Sequence, residues 1–392
     1  MMLNLSRSAI FPILCLCLLT GCWDRTEISD LAFVLAGGID VAEDGQLEST
    51  LQIALPTQLP NALELGKGGN NQPVLVVSEK GKDGADILHK MQKRLSRHIF
   101  LGHRGVLVIG EKYARTRMDQ VLDQTLRYPG SRYNMYVLTA RGTTAKKILQ
   151  TPYLLESIPG IGIKKIQMSG LGYSLKVDEF LNELSLPGKA PVTSAIRLFS
   201  NDTEKNTFTI DEAAVYQLNR PRLVGFLTQE EQKILKWQKG KLNETRFTAQ
   251  VTPPEEGFKG TIGIEVLTNH STMKAEMKND MPHMTIILKA GGRVIENDSK
   301  LDLSKKADLK LAESKLTEEA EKLVKQTIRR SQQELQADIF GIGEKIHTAY
   351  PAYWKKHKDQ WINLYPEIPV ACKVEIVISR IGRTQLPAHI LQ

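Results

Sequence analysis

Apolar and polar positions change their period repeatedly along the first half of the chain. Continuous or alternating apolar runs predict strands, and apolar residues three and four positions apart predict helices. The predicted strands are 31–39, 46–55, 74–78, 105–110, 134–140 and 195–199. The predicted helices are 85–97, 113–126, 143–150 with Thr143 or Thr144 as N-cap, and 177–184, with an irregular Gly- and Pro-rich connection at 151–172. Strands that alternate with helices are typical of an α/β layer.

The second half of the chain has longer alternating runs and fewer helical ones. A hairpin is predicted at 208–218 and 222–228, followed by a short helix capped by Thr228 and by strands at 260–267, 272–278, 284–296 and 370–381. The alternation of these runs indicates an antiparallel sheet. Thr317 is the predicted N-cap of the longest helix, which should end near Gly341 and pack its apolar stripe on this sheet.

A polar segment at 200–206 separates the two patterns and is the predicted domain boundary. We therefore expect a multi-domain, mixed α/β and α+β protein. An N-terminal α/β domain should span 22–200, and a C-terminal α+β domain, with a mainly antiparallel sheet and one long packed helix, should span 207–392. Two subdomains, near 207–260 and 261–392, are an alternative for the second part. The length of 392 residues agrees with two or three domains.

The N-terminus has the layout of a secretory signal. Arg7 precedes an apolar run at 9–19, which is shorter than the roughly 20 residues that a membrane-spanning helix needs. Thr20 and Gly21 are small, so residues 1–21 are predicted to be a cleaved signal peptide, cut between Gly21 and Cys22. A cysteine placed first in the mature chain, behind Leu-Thr-Gly, is typical of a bacterial lipoprotein, in which Cys22 is diacylated. The alternative is a plain secretory signal in which Cys22 is incidental.

Acylation of Cys22 would leave the mature chain with one free cysteine, Cys372, and no intramolecular disulfide. Alternation in the last strand places Cys372 on the same face as Val374, Ile376 and Ile378, as expected of a buried, inert thiol. Stability must then come from packing.

Positive charge is concentrated in residues 89–147, which contain 13 Lys and Arg but only 3 acidic residues. Such an excess suits nucleic acid, anionic lipid or an acidic protein. Because the chain is predicted to be exported, we exclude nucleic acid. The candidate contacts with a membrane or partner are the basic residues of the helix at 85–97, namely Lys90, Lys93, Arg94 and Arg97.

Sequence motifs of known catalytic and metal sites are absent. No His-Glu-x-x-His, Cys-x-x-Cys, Gly-x-Ser-x-Gly or complete Gly-x-Gly-x-x-Gly occurs. No carboxylate or cysteine lies at metal-ligand spacing from His103, which is interpreted as a hydrogen-bonded or surface histidine. Asp338 and Glu344 are expected on solvated faces. We therefore expect no enzyme, no metal and no cofactor other than a covalent lipid on Cys22.

Three blocks of the chain resemble the Ger(x)C family, the lipoprotein C subunits of spore germinant receptors in endospore-forming bacteria. The first is Gly-Cys-Trp-Asp-Arg-Thr-Glu-Ile at 21–28, the second spans 85–114, and the third, Ala-Asp-Ile-Phe-Gly-Ile-Gly followed by Trp354 and Trp361, begins at 337. The resemblance implies a non-enzymatic subunit needed for receptor assembly and nutrient-triggered germination. It implies a location on the extracytoplasmic face of the inner spore membrane, with integral membrane A-type and B-type receptor subunits as partners.

Two other classes remain as alternatives. A lipid-anchored solute-binding protein for a small nutrient should have two similar α/β lobes, and a cell-wall enzyme should carry a convergent set of catalytic residues. The two halves of this sequence have different patterns, which favours the receptor subunit.

Overall fold

The computed structural model describes residues 26–55, 73–116, 118, 127, 130–201, 207–218, 221–242, 244–252, 259–299 and 301–381. Gly21, Cys22 and part of the predicted helix at 113–126 lie outside these residues. Within them, the larger sheet has nine strands. They are β1 (Leu31–Val41), β2 (Leu47–Ala54), β3 (Val74–Gly81), β4 (His98–Phe100), β5 (Val106–Ile109), β6 (Tyr136–Ala140), β7 (Val192–Phe199), β8 (Thr207–Tyr216) and β9 (Leu223–Leu227).

The strand order of this sheet is β3-β2-β1-β5-β6-β7-β8-β9, with β4 paired to the start of β1. The central strands β1, β5, β6 and β7 are parallel, and the outer strands are antiparallel to their neighbours. All four residues of β5 are buried. A continuous apolar run fits this position, because a central parallel strand is covered on both faces.

Six helices accompany this sheet in the described residues. They are α1 (Gly84–Gln92), α2 (Glu111–Thr116), α3 (Ala145–Gln150), α4 (Pro159–Ser169), α5 (Val177–Ser185) and α6 (Gln229–Gln238). On one face, α3 and α4 bury Ile148 and Ile163 in a separate core. The main core contains residues of both sheets, so apolar packing is continuous between the two parts of the molecule.

The second sheet consists of β10 (Arg246–Val251), β11 (Gly260–Lys278), β12 (Met281–Asn297) and β13 (Val370–Arg380), in that order. Its first three strands are antiparallel, and β13 is parallel to β12. The helices of this part are α7 (Lys306–Gln333), α8 (Ile342–Ala349), α9 (Pro351–His357) and α10 (Trp361–Leu364).

The long helix α7 packs on β10 and β13. Its buried apolar stripe runs through Ala312, Leu316, Ala320, Val324 and Ile328. This confirms the predicted packing of the longest helix, and the mixed architecture confirms the predicted fold class. The two sheets differ in strand order and direction, so the described residues do not form the two similar lobes expected of a solute-binding protein.

Several predicted elements were wrong in detail. The helix predicted to be N-capped by Thr317 has its N-cap twelve residues earlier, at Lys305, and ends at Gln333 rather than near Gly341. Thr317 therefore lies inside α7, where its Oγ1 accepts a hydrogen bond from the backbone N–H of Ile376 in β13 at 3.1 Å. The strands predicted at 260–267 and 272–278 are one strand, β11, and the connection at 151–172 contains the helix α4.

The hairpin of β8 and β9 belongs to the first sheet, because β8 pairs with β7. The sheet therefore continues across the predicted boundary at 200–206, although the sequence pattern favours placing this hairpin in the C-terminal part. The domain limits themselves stay a prediction.

Candidate functional site

The start of β1 lies nine residues after Cys22 in the chain. The parallel pairing of β4 with β1 sets His98 opposite Leu31 and Phe100 opposite Phe33. The rings of Phe33, Phe100 and His103 form a cluster, with centroid distances of 5.7 Å for the Phe pair and 5.2 and 5.4 Å to His103. His103 is exposed, so it is a surface histidine that packs on two aromatic rings.

The four predicted basic contacts beside this cluster fall into two classes. Lys90 Nζ lies 2.8 Å from Asp86 Oδ2, and an Arg94 guanidinium nitrogen lies 3.0 Å from Glu79 Oε2. The hydrogen bond from Lys90 lowers the pKa of Asp86, so this pair is ionised. Lys93 and Arg97 are exposed and form no ion pair with a described residue. Lys93 and Arg97 are thus the two predicted contacts whose charge is not neutralised by a described acid.

The two sheets meet at a joint formed by residues 186–190 and 338–365. At its centre, Asp338 is buried and accepts backbone hydrogen bonds from Gly341 and Ile342, both at 2.9 Å, and from Gly343 at 2.7 Å. The Asp338 carbonyl accepts a hydrogen bond from the N–H of Ala190 at 2.8 Å. Asp338 therefore caps α8 and links it to the segment before β7. The expectation of a solvated Asp338 was wrong.

Burial raises the pKa of Asp338 to about 6, although the three backbone N–H groups favour the ionised form. The interior of the joint disfavours a charge, and the backbone donors compensate for only part of that cost.

Glycines and tryptophans close the joint. Gly188 has a φ of +73°, and a Cβ at this position would lie 2.7 Å from atoms of both Trp354 and Trp361. The indole N–H of Trp361 donates to the Gly188 carbonyl at 3.1 Å, and the two Trp rings meet edge to face at 5.2 Å. The third resembling block therefore includes residues that hold the two parts of the molecule together.

A cleft of about 480 Å³ opens beside the joint, and Glu183 and Lys239 lie in its wall. Glu183 is buried; its carboxylate forms an ion pair with Lys239, lies 3.6 Å from Lys189 Nζ, and accepts a hydrogen bond from the Val192 N–H at 3.4 Å. Lys239 also donates to the Tyr173 hydroxyl. These contacts satisfy Glu183 internally, so the network fixes α5 to the segment after α6.

Sequence reasoning missed this network, because its members are far apart along the chain: Glu183 and Lys239 are separated by 56 positions. The role of Asp338 had no standard sequence signal either, because Gly341 occupies the N-cap position of α8 and Asp338 lies three residues before it.

The described ranges contain neither a membrane-spanning helix nor a cluster of metal-binding side chains. In those ranges, no helix is both long and apolar enough to cross a bilayer. In the same part of the chain, no three or more His, Cys, Asp or Glu side chains are grouped so that they would hold a metal ion.

Two protein families match this chain, one in each half. The family described as "Spore germination protein N-terminal domain" matches residues 24–198, and the family described as "Spore germination B3/ GerAC like, C-terminal" matches residues 211–382. Together the two matches span most of the chain.

Similar proteins match at nearly full length. Spore germination protein KC of Bacillus subtilis (strain 168) is 27% identical, with 97% of this chain and 96% of that protein aligned. Spore germination protein B3 of the same organism is 25% identical over 95% of this chain and 96% of its own. The crystal structure of the GerBC protein shares the fold, with a TM-score of 0.55, 22% identity and coverage of 88% of this chain and 98% of that chain. This chain therefore belongs to the Ger(x)C family of spore germination proteins.

Proposed function

We propose that this protein is a lipid-anchored, non-enzymatic subunit of a spore germinant receptor, needed for receptor assembly and nutrient-triggered germination. The observation that carries the proposal is the nearly full-length match to proteins named for spore germination. Cys22, directly behind Leu-Thr-Gly at 19–21, supports the lipid anchor. The internal bonding of Glu183 and Asp338 supports a structural rather than a catalytic use of these buried acids.

In this proposal the acyl chains on Cys22 hold the body on the extracytoplasmic face of the inner spore membrane. The nine residues from Cys22 to Leu31 span at most roughly 30 Å, so the start of β1 stays near the lipid headgroups. Arg97 directly precedes β4, whose His98 pairs with Leu31, and Lys93 directly follows α1. Both would contact anionic lipid or the A-type and B-type membrane subunits. A basic residue near such a surface is worth about 1 kcal/mol.

The test is Cys22→Ala, which removes the acylated sulfur. We expect an uncleaved or released precursor, because two acyl chains are needed for stable anchoring. Spore membrane fractions probed with an antibody, and the loss of optical density after nutrient addition, measure anchoring and germination. Cys372→Ala is the matched control and should leave both unchanged. Normal membrane retention together with normal germination of the Cys22 variant would refute the anchor.

A further inference from the structure

Two leucines project from the segment between α3 and α4. Leu154 is 91% exposed and Leu155 is 81% exposed, which makes them the most exposed large apolar side chains in the described residues. Single exposed leucines are common, but two adjacent ones at this degree of exposure are not explained by folding. We call residues 151–158 the leucine loop.

The leucine loop is held in place at both ends. At its start, the Thr151 hydroxyl donates to the Lys147 carbonyl at 2.8 Å. Next, Tyr153 stacks on Phe208 with a centroid distance of 5.0 Å. At its end, Ile158 is buried and Glu156 forms an ion pair with Lys165 of α4. The leucines are thus presented by anchored neighbours, so that little ordering is needed when they bind.

The surroundings of the loop are basic and poor in acids. Residues 141–177 contain six Lys and Arg but one acidic residue, Glu156, which is already paired. Arg141 and Lys146 pair with acids of other strands, Glu212 and Glu48. Lys176 is half-buried and lies over the Tyr136 ring. The remaining two lysines, Lys147 and Lys164, are exposed and form no ion pair with a described residue.

The location of the loop agrees with a membrane nearby. Immediately after it, the Gly160 N–H donates to Gln52 Oε1 at 2.9 Å, and a Cβ on Gly160 would meet Ala36 of β1. Ala36 is five strand residues, or roughly 17 Å, from the first residue of β1. The segment of chain from Cys22 to Leu31 spans at most roughly 30 Å. The loop is therefore within reach of the surface that would hold the anchor.

We propose that the leucine loop inserts Leu154 and Leu155 into an anionic membrane surface, with Lys147 and Lys164 at the headgroups. A lipid surface fits better than a protein partner, because a specific protein interface buries roughly 800 Å² on each side, and a two-leucine projection offers far less. Apolar residues flanked by lysines match the boundary between anionic headgroups and acyl chains. The proposal rests on the proposed membrane location, and it adds a second, non-covalent contact to the acyl anchor.

The test uses the mature chain, residues 22–392, made without acylation, and vesicles of phosphatidylcholine with or without phosphatidylglycerol. The wild-type chain should sediment with the anionic vesicles, and added salt should weaken this binding. The double variant Leu154→Ser and Leu155→Ser should bind about 100-fold more weakly, at about tenfold for each leucine. The matched control is Leu267→Ser with Val377→Ser, each 42% exposed on the second sheet, which should bind like wild type.

Equal binding by wild type and the loop variant, or no wild-type binding to anionic vesicles, would overturn the proposal. The loop variant could also bind vesicles like wild type but no longer co-purify with a receptor membrane subunit. That result would overturn the proposal too, because the loop would then contact a protein partner. The outcome is separable from that of the anchor. Binding of the unacylated chain to vesicles through Leu154 and Leu155 would remain a valid result even if Cys22→Ala had no effect in spores.

Discussion

Replacing Gly188 with alanine is expected to lower the free energy of unfolding by about 3 kcal/mol. Gly188 has a φ of +73°, where a side chain costs about 1–2 kcal/mol. The added Cβ would also lie 2.7 Å from Trp354, 2.7 Å from the Trp361 ring nitrogen and 2.9 Å from the Gly343 Cα. Overpacking of this kind costs about 1–3 kcal/mol. Trp361 cannot move away without losing its hydrogen bond to the Gly188 carbonyl.

Urea unfolding followed by tryptophan fluorescence and circular dichroism measures the change. Gly170→Ala is the matched control, because Gly170 has a φ of +70° but no atom within 4 Å of the position that an added Cβ would take. That variant has only the backbone cost, about 1–2 kcal/mol. If the two variants differed by less than about 0.5 kcal/mol, which is the range of ordinary surface substitutions, the packing argument for the joint would be refuted.

Three further predictions concern other parts of the molecule. Because the raised pKa of Asp338, about 6, makes the folded chain bind a proton more tightly, the free energy of unfolding should fall as the pH rises, by about 2 kcal/mol from pH 4 to 6 and by about 3 kcal/mol in total from pH 3 to 7. Urea titrations of Asp338→Asn should lack this fall. Lys93→Glu with Arg97→Glu should weaken binding to anionic vesicles more than Lys90→Gln with Arg94→Gln, whose side chains are already paired. Thr317→Val should cost about 1 kcal/mol in urea unfolding, because the Ile376 amide loses its acceptor.

Caps formed by neighbouring residues were predictable from the sequence. Thr228 accepts a hydrogen bond from the Glu231 N–H at 3.3 Å, and the Glu231 carboxylate accepts one from the Thr228 N–H at 2.8 Å. Thr144 accepts a hydrogen bond from the Lys147 N–H at 3.1 Å. Each cap depends on two residues three positions apart, so the local pattern contains the required information.

Features that depend on distant partners were not predictable in this way. Threonine often caps helices, but the side chain of Thr317 instead accepts a hydrogen bond from the N–H of Ile376, 59 positions away. The hairpin of β8 and β9 has a clear strand pattern, yet the pattern does not say which sheet it extends. Among the basic contacts, the pairing of Lys90 with Asp86 follows from their i,i+4 spacing, whereas that of Arg94 with Glu79 depends on how α1 packs beside β3.

The position of β1 inside the larger sheet has a mechanical consequence. The residues before Leu31 lead directly into a strand that is flanked by β2 on one side and β5 on the other. Tension applied along that segment runs parallel to the strand and across its hydrogen bonds, which are perpendicular to the strand towards β2 and slanted towards β5. The bonds to both neighbours then bear the load together in shear, whereas an edge strand would peel away one bond at a time. The folded body therefore resists being pulled apart from its N-terminal end.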